Sequence, residues 1–374
     1  PRFGHHREHR RQGPQARDPH QEDRGLGPVS RLEQVPCATF DQIGGDHLGC
    51  GTELPLPNRL ATTYKSPTHL FANKQLCETR LTNQLFIIGN GFDLHHNIAS
   101  RYSDFASFLE SRDRETFDIA TEYMVPERDL WSCLEERLAE VDVDQIEEYA
   151  SNFLVSYGAD DWSDAYHHDY EYEIEQICAA ISNKLRSHFA DWVRQIVIPP
   201  RAVSPVRCID PQSLFLNFNY TSTLQEIYGV SDSRILHIHG SARDQTSEII
   251  LGHGWDRQTS ELLSRHADQD TDVRVVGGFQ LIDELLANTF KPTQEILARN
   301  KGFFEGLSSV TKVNVLGHSL AQVDQPYFRA VLDNVNINAQ WTVSFHSDDA
   351  ETWAAAKSIG IPASKMRVEQ LKNL

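Results

Sequence analysis

Two carboxamides and two histidines in this chain are spaced so that each pair could meet a ligand. Asn217 and Asn219 lie in Leu214-Phe-Leu-Asn-Phe-Asn-Tyr220, and His237 and His239 in Ile235-Leu-His-Ile-His-Gly240. Side chains alternate across a strand, so each polar pair shares one face and the apolar residues take the other. A carboxamide can hold a ligand hydroxyl or orient a water molecule. An imidazole, which changes charge near neutral pH, can take a proton from either. Gly240 directly follows His239 and permits close approach, which favours His239 over His237 as the proton acceptor. The plainer alternatives are that the asparagines bond the turn at Thr221-Ser222-Thr223 and that the histidines are core residues.

Two glycine turns stand beside these pairs. Gln84-Leu-Phe-Ile-Ile runs into Gly89-Asn90-Gly91, followed by Phe92 and Asp93. Strand, glycine turn, helix is how an α/β sheet offers amides to phosphate, although a tight turn needs glycine for its own sake. The second turn is Gly317-His318-Ser319-Leu320, after the strand Lys312-Val-Asn-Val-Leu, with Asp324 beyond it. It nearly matches the G-x-S-x-G elbow of serine hydrolases, with Ala321 in the last position. A serine esterase needs an acid and then a histidine after the serine. Here Asp324 or Asp333 would have to serve as the acid, and the one later histidine is His346. That makes the esterase the weaker reading.

The elements that must carry these residues are strands near 85, 214, 235, 313 and 341 with helical segments between them. Together they imply an α/β fold, a Rossmann-like, mostly parallel sheet. Ile174, Ile177, Cys178, Ile181, Leu185, Phe189, Trp192 and Ile196 keep 3–4 spacing up to Pro199-Pro200 and predict one long helix. Leu130, Leu134, Leu138 and Val141 predict another, with Tyr149 to Tyr172 as a loop or short helices between them. Glu248-Ile-Ile-Leu-Gly-His-Gly254 reads as a short strand and turn, with His253 facing either a pocket or water.

Taken together, four motifs resemble one known family. Gly89-Asn90-Gly91-Phe92-Asp93-Leu94-x-His96, Phe218-Asn219-Tyr220-Thr221, Ile238-His239-Gly240 and Leu316-Gly317-His318-Ser319-Leu320 with Asp324 look like the AbiH family of abortive infection, over roughly residues 82–350. More distantly, their order is similar to the sirtuin-like NAD-binding fold. That resemblance implies Gly89, Asn90 and Gly91 as the first turn, Asn219 as the catalytic asparagine, His239 as the catalytic histidine, and Gly317 and Ser319 as the last turn. Asn90, with Asp93 close behind, departs from the small residue that sirtuins carry between the glycines. No Cys-x-x-Cys pair is present, so the zinc module of deacetylating sirtuins is missing and no metal is expected.

The resulting expectation is an antiphage effector that binds NAD or a related nucleotide and hydrolyses the nicotinamide–ribose bond. Asn219 and His239 would be catalytic. Gly89, Asn90, Gly91, Phe92, Asp93, Asn217, Gly240, Gly317, His318, Ser319 and Asp324 would bind the nucleotide, with the diphosphate on the first turn and Asp93 on a ribose hydroxyl or fixing the loop. Replacing Asn219 or His239 should then cost little stability. The alternative is a module that senses a nucleotide or phage product without turnover and acts through a protein partner.

Composition limits the surroundings. The 374 residues are 40% hydrophobic, enough for a core. No apolar run approaches the roughly 20 residues that span a bilayer, so no membrane partner is expected. Six cysteines without paired spacing and no signal-peptide pattern lead to the expectation of a cytoplasmic protein with reduced thiols. Residues 1–80 hold 11 basic and 9 acidic residues, leaving 24 and 44 for 81–374, a net of −20. Most of the excess lies in a helical insertion at about 110–200. That field makes nucleic acid an unlikely ligand, and the insertion is read as a solvated surface or a docking face. A phage-derived trigger and a homo-oligomer are further expectations. Residues 1–80, rich in Arg and His and without an initiating Met, are expected to be a disordered extension or an artefact of upstream translation, with the AbiH-like domain at 81–374.

Overall fold

The computed structural model describes residues 83–124, 130–160, 162–202, 204–346 and 349–374, so the expectation for residues 1–80 lies outside the described residues. Six strands, β1 (Gln84–Ile88), β2 (Leu214–Asn217), β3 (Ile235–His237), β4 (Lys312–Leu316), β5 (Gln340–Phe345) and β6 (Met366–Gln370), form one sheet in the order β3-β2-β1-β4-β5-β6. Every pairing is parallel, with Ile88 level with both Asn217 and Leu316. This is the doubly wound Rossmann order, which reverses direction between β1 and β4 and leaves a crevice at the carboxyl ends.

A parallel sheet is covered on both faces, so its strands read as apolar runs rather than alternating ones. Leu85 and Ile87 of β1 pack with Leu216, Val313, Val315 and Trp341 on one side. Phe86 and Ile88 pack with Phe215, Leu224 and Leu316 on the other, where Phe86 and Phe215 stack. The expected division of β2 into an apolar and a polar face is therefore corrected. Both faces are core, and polar side chains begin only at Asn217, where the strand ends.

Between β1 and β2 the chain forms α1 (Asn90–His95), α2 (Tyr102–Arg112), α3 (Arg114–Tyr123), α4 (Leu134–Arg137), α5 (Val143–Ser151), α6 (Asp169–Ala179) and α7 (Leu185–Val193). The single helix predicted for 174–196 is instead α6 and α7 joined by a π-helical segment, Ala180–Lys184. The apolar stripe survives this wider turn, since Ile174, Ile177, Ile181, Leu185, Phe189 and Trp192 all enter a separate core under the insertion. Leu130 to Val141 yields only the short α4 and a 3-10 turn, Leu130–Ser132, because its apolar residues must fold back over that core.

After β2 come α8 (Thr223–Tyr228), and after β3 α9 (Val273–Asn288), α10 (Thr293–Arg299) and α11 (Lys301–Glu305). α12 (Gln325–Asn334) and α13 (Asp349–Ile359) connect the last three strands. The segment 248–254 is not a strand. Ile250 N donates to the His239 carbonyl, and His253 forms an isolated parallel bridge with Phe290. His253 faces neither pocket nor water: it is buried, with Nε2 3.0 Å from the Leu286 carbonyl. Among the described residues no helix is long and apolar enough to cross a membrane.

Candidate functional site

At the carboxyl edge of the sheet a cleft of about 290 Å³ opens between the ends of β1, β2, β3 and β4 and the helical insertion. The first turn, Asn219, His239, the last turn and Asp324 line it from the sheet. Tyr102, Glu135, Phe189 and Trp192 line it from the insertion.

The two glycine turns lie back to back. Gly89 N donates to the Leu316 carbonyl at 3.0 Å and Gly91 N to the Gly317 carbonyl at 2.7 Å. A Cβ on Gly89 would fall 2.6 Å from the His318 Cα, and one on Gly317, where φ is +65°, only 2.1 Å from the Phe92 nitrogen. These glycines are needed so that two backbones can touch. Of the amides that the first turn was expected to offer a diphosphate, those of Gly89 and Gly91 are spent on the end of β4 and the turn after it. Asn90 is likewise tied inward, giving Nδ2 to the Ser100 carbonyl at 2.8 Å and accepting from Ser100 Oγ at 2.6 Å.

Asn219 fastens the end of β2 to this turn. Its Nδ2 donates to the Gly89 carbonyl at 3.1 Å, and its own amide donates to Asn217 Oδ1 at 3.1 Å. Two and four residues on, the hydroxyls of Thr221 and Thr223 donate to the two oxygens of Asp93 at 2.6 and 2.7 Å. Burial lifts the Asp93 carboxyl to about 6, with Thr221, Thr223 and Asn219 pulling the other way. Asp93 thus fixes the loop, one of the two roles expected of it. His237 is equally occupied: Nδ1–H donates to the Asn219 carbonyl at 3.0 Å and Nε2 receives Gln225 Nε2 at 3.1 Å. Burial keeps it neutral.

His239 differs from His237 in what it faces. Its ring packs against Phe218 and Tyr327, with centroids 5.3 and 5.5 Å away. Its Nε2 is 3.8 Å from Asp324 Oδ1. Both atoms are buried and lack a hydrogen-bond partner. Burial and then Lys291 hold the imidazole down at about 3, opposed by Asp324. On the other side of the carboxylate, His318 Nε2 is 3.4 Å from Asp324 Oδ2, while His318 Nδ1 accepts from Leu320 N. Lys291 is 3.7 Å from Asp324 Oδ1 and bonds both oxygens of Glu135, at 3.1 and 3.2 Å. Although burial opposes charge on Asp324, Lys291 and the two histidines keep its carboxyl below the usual carboxylate range. Burial raises Glu135, and Lys291 draws it partly back.

Of the site residues expected from sequence, Gly89, Asn90, Gly91, Asp93, Asn219, His239, Gly317, His318, Ser319 and Asp324 line one cleft. Phe92, Asn217 and Gly240 do not, and each has a structural task. Phe92 is core beside His96 and Tyr228. Asn217 holds the Asn219 amide. Gly240, at φ +97°, passes so close to the Glu248 carbonyl that a Cβ would lie 2.1 Å from its oxygen. The esterase geometry is also missing: the left-handed residues of the last turn are Gly317 and Leu320, not Ser319. Among the described residues no hydrogen bond ties Ser319 to a histidine. Tyr102, Glu135 and Lys291 were not foreseen. Only Pro292 after a lone lysine marked the last, and nothing set Glu135 apart in a run of acids. A second cleft of about 840 Å³, lined by Arg101, Ser344, His346, Glu351 and Lys372 among others, shares Gly91 and Gly317–Ser319 with the first.

Residues 85–345 match the family model described as bacteriophage abortive infection AbiH. No curated protein and no solved structure matches the chain.

Proposed function

The chain belongs to the AbiH family of bacteriophage abortive infection, and from that premise we propose that its cleft binds NAD and hydrolyses the nicotinamide–ribose bond. The supporting observation is convergence: Asn219 and His239 follow the ends of different strands yet line one cleft with both glycine turns at the topological switch point. In this reaction the bond from the anomeric carbon to the pyridinium nitrogen breaks through an oxocarbenium-like state, and nicotinamide leaves with the electron pair. Water oxygen bonds the anomeric carbon, and its proton passes to His239, giving ADP-ribose. Asn219 orients the ribose or the water with the amide oxygen that Gly89 leaves free. The phosphates would meet Ser319 and the backbone of Asn90, which line the cleft, in place of the committed glycine amides. Consumption of NAD in the cytoplasm of an infected cell then arrests growth.

The test is incubation of purified protein with NAD, with and without lysate of phage-infected cells, and chromatography of the products. Nicotinamide and ADP-ribose are expected. Intact NAD under every condition would sink the reading. A second reading, nucleotide binding without turnover and signalling to a protein partner, is favoured by one observation. An imidazole held at about 3 is a weak base. Bound nucleotide recovered unchanged, with no product by mass spectrometry, would select it.

A further inference from the structure

We propose that Glu135, carried by the helical insertion, is a positioning residue that reaches the sheet edge through Lys291 and supplies the negative charge that lets His239 keep a proton. This rests on the reading of His239 as the proton acceptor. The geometry carries it in two steps. First, Glu135 takes the Lys291 ammonium on both oxygens, at 3.1 and 3.2 Å, and leaves it 3.7 Å from Asp324. Asp324 Oδ1 is consequently buried without a hydrogen-bond partner, 3.8 Å from the equally unpartnered His239 Nε2. A lysine free of Glu135 would close on that oxygen and take the place an imidazolium needs.

Second, the charges count. With both carboxylates ionised, Lys291 cationic and the imidazoles neutral, the cluster is one negative charge in excess. A buried excess charge is costly. A proton arriving on His239 cancels it. If Glu135 is neutral, the same proton creates a buried positive charge instead, and His239 gives it back. Groups facing the cluster from the other packed elements do not change the sum. Burial pushes up the hydroxyls of Tyr102, Tyr220 and Tyr327, so all three stay neutral. His318 uses Nδ1 to accept from the backbone. Tyr102, on α2, favours the ionised form of Glu135. Because α4 belongs to the insertion, any displacement of the insertion by a trigger would change the basicity of His239.

The experiment compares wild type with Glu135→Gln. In wild type, kcat for NAD cleavage should rise with pH as Glu135 ionises. In Glu135→Gln that rise should vanish and kcat near pH 7 should fall by about tenfold or more, the lower range of general-base effects, with KM within about twofold. Equal loss at every pH would mark Glu135 as merely structural, and unchanged kcat would remove it from the mechanism. A second measurement needs no turnover. NMR titration of histidine-labelled protein should give His239 a higher midpoint in Lys291→Gln than in Lys291→Gln/Glu135→Gln, glutamine keeping donors for both carboxylates. Equal midpoints would overturn the coupling. If wild type cleaves no NAD but the midpoints differ, the hydrolase reading falls and the coupling stands.

Discussion

Asp93 is a carboxyl whose place in a polar cleft misrepresents its task. Its two threonine partners and its burial make it a fastening between α1 and the loop after β2. Its folded pKa of about 6 lies above the ordinary 3.8, so the folded state binds this proton more tightly than the unfolded chain does. The contribution to stability is therefore present in full below pH 3.8 and lost as pH rises through 6. Two units correspond to roughly 3 kcal/mol. In Asp93→Asn that loss should disappear, so the stability difference between pH 4.5 and 7.5, read by urea denaturation, should be smaller than in wild type. An identical difference would place the titration elsewhere. Asn219 also changes in light of its contacts. The sequence expectation that Ala costs little rested on its place on the polar face, where little core volume would be lost, whereas Asn219 is 5% exposed and bonds the Gly89 carbonyl. Asn219→Ala should cost about 1–3 kcal/mol by stranding that buried acceptor, checked by the same denaturation. Residues beside glycine were legible because glycine marks a close approach. Lys291 and Glu135 were not, because an ion pair between distant segments leaves no local spacing.

At the scale of elements, the firmest prediction concerns the paired turns. Gly317→Ala places a methyl 2.1 Å from the Phe92 nitrogen at a backbone angle of +65°, with no flexible side chain to give way. It should destabilise the fold by more than about 3 kcal/mol, whereas Gly306→Ala, with nothing within 4 Å, should be nearly neutral. Melting temperatures of the two variants decide it, and similar values would mean that the turns can separate. The strands were legible for the opposite reason: long-range burial on both faces demanded apolar runs at 85 and 214, and at 313 a run broken only by Asn314. β6 was missed because an edge strand reading Met-Arg-Val-Glu-Gln carries few apolar residues. The π segment in the long helix was hidden because one widened turn keeps the buried stripe nearly in register. The false strand at 248–254 had a strand's composition, but its backbone serves the loops around His239 and His253.

For the whole molecule, the charge of −20 over residues 81–374 is the dominant property. Much of it lies on the insertion, with partners such as Arg114 for Glu110 and Asp118 at the surface, where ion pairs contribute little. Self-repulsion should therefore be relieved by salt. Raising ionic strength from about 0.02 to 0.3 M should stabilise the fold by about 1 kcal/mol, roughly 2–4 °C for a domain this large. A fall in melting temperature would mean that attractive pairs outweigh the excess. The sheet order has a consequence in time as well as in space. β1 is the first of the described strands to be made, yet one of its neighbours is β4, with Gln84 opposite Lys312. The last turn cannot close against the first until Gly317, more than 200 residues later, has emerged, and such distant pairing folds slowly. An unfinished chain, or one cut short by a nonsense codon, has no completed cleft.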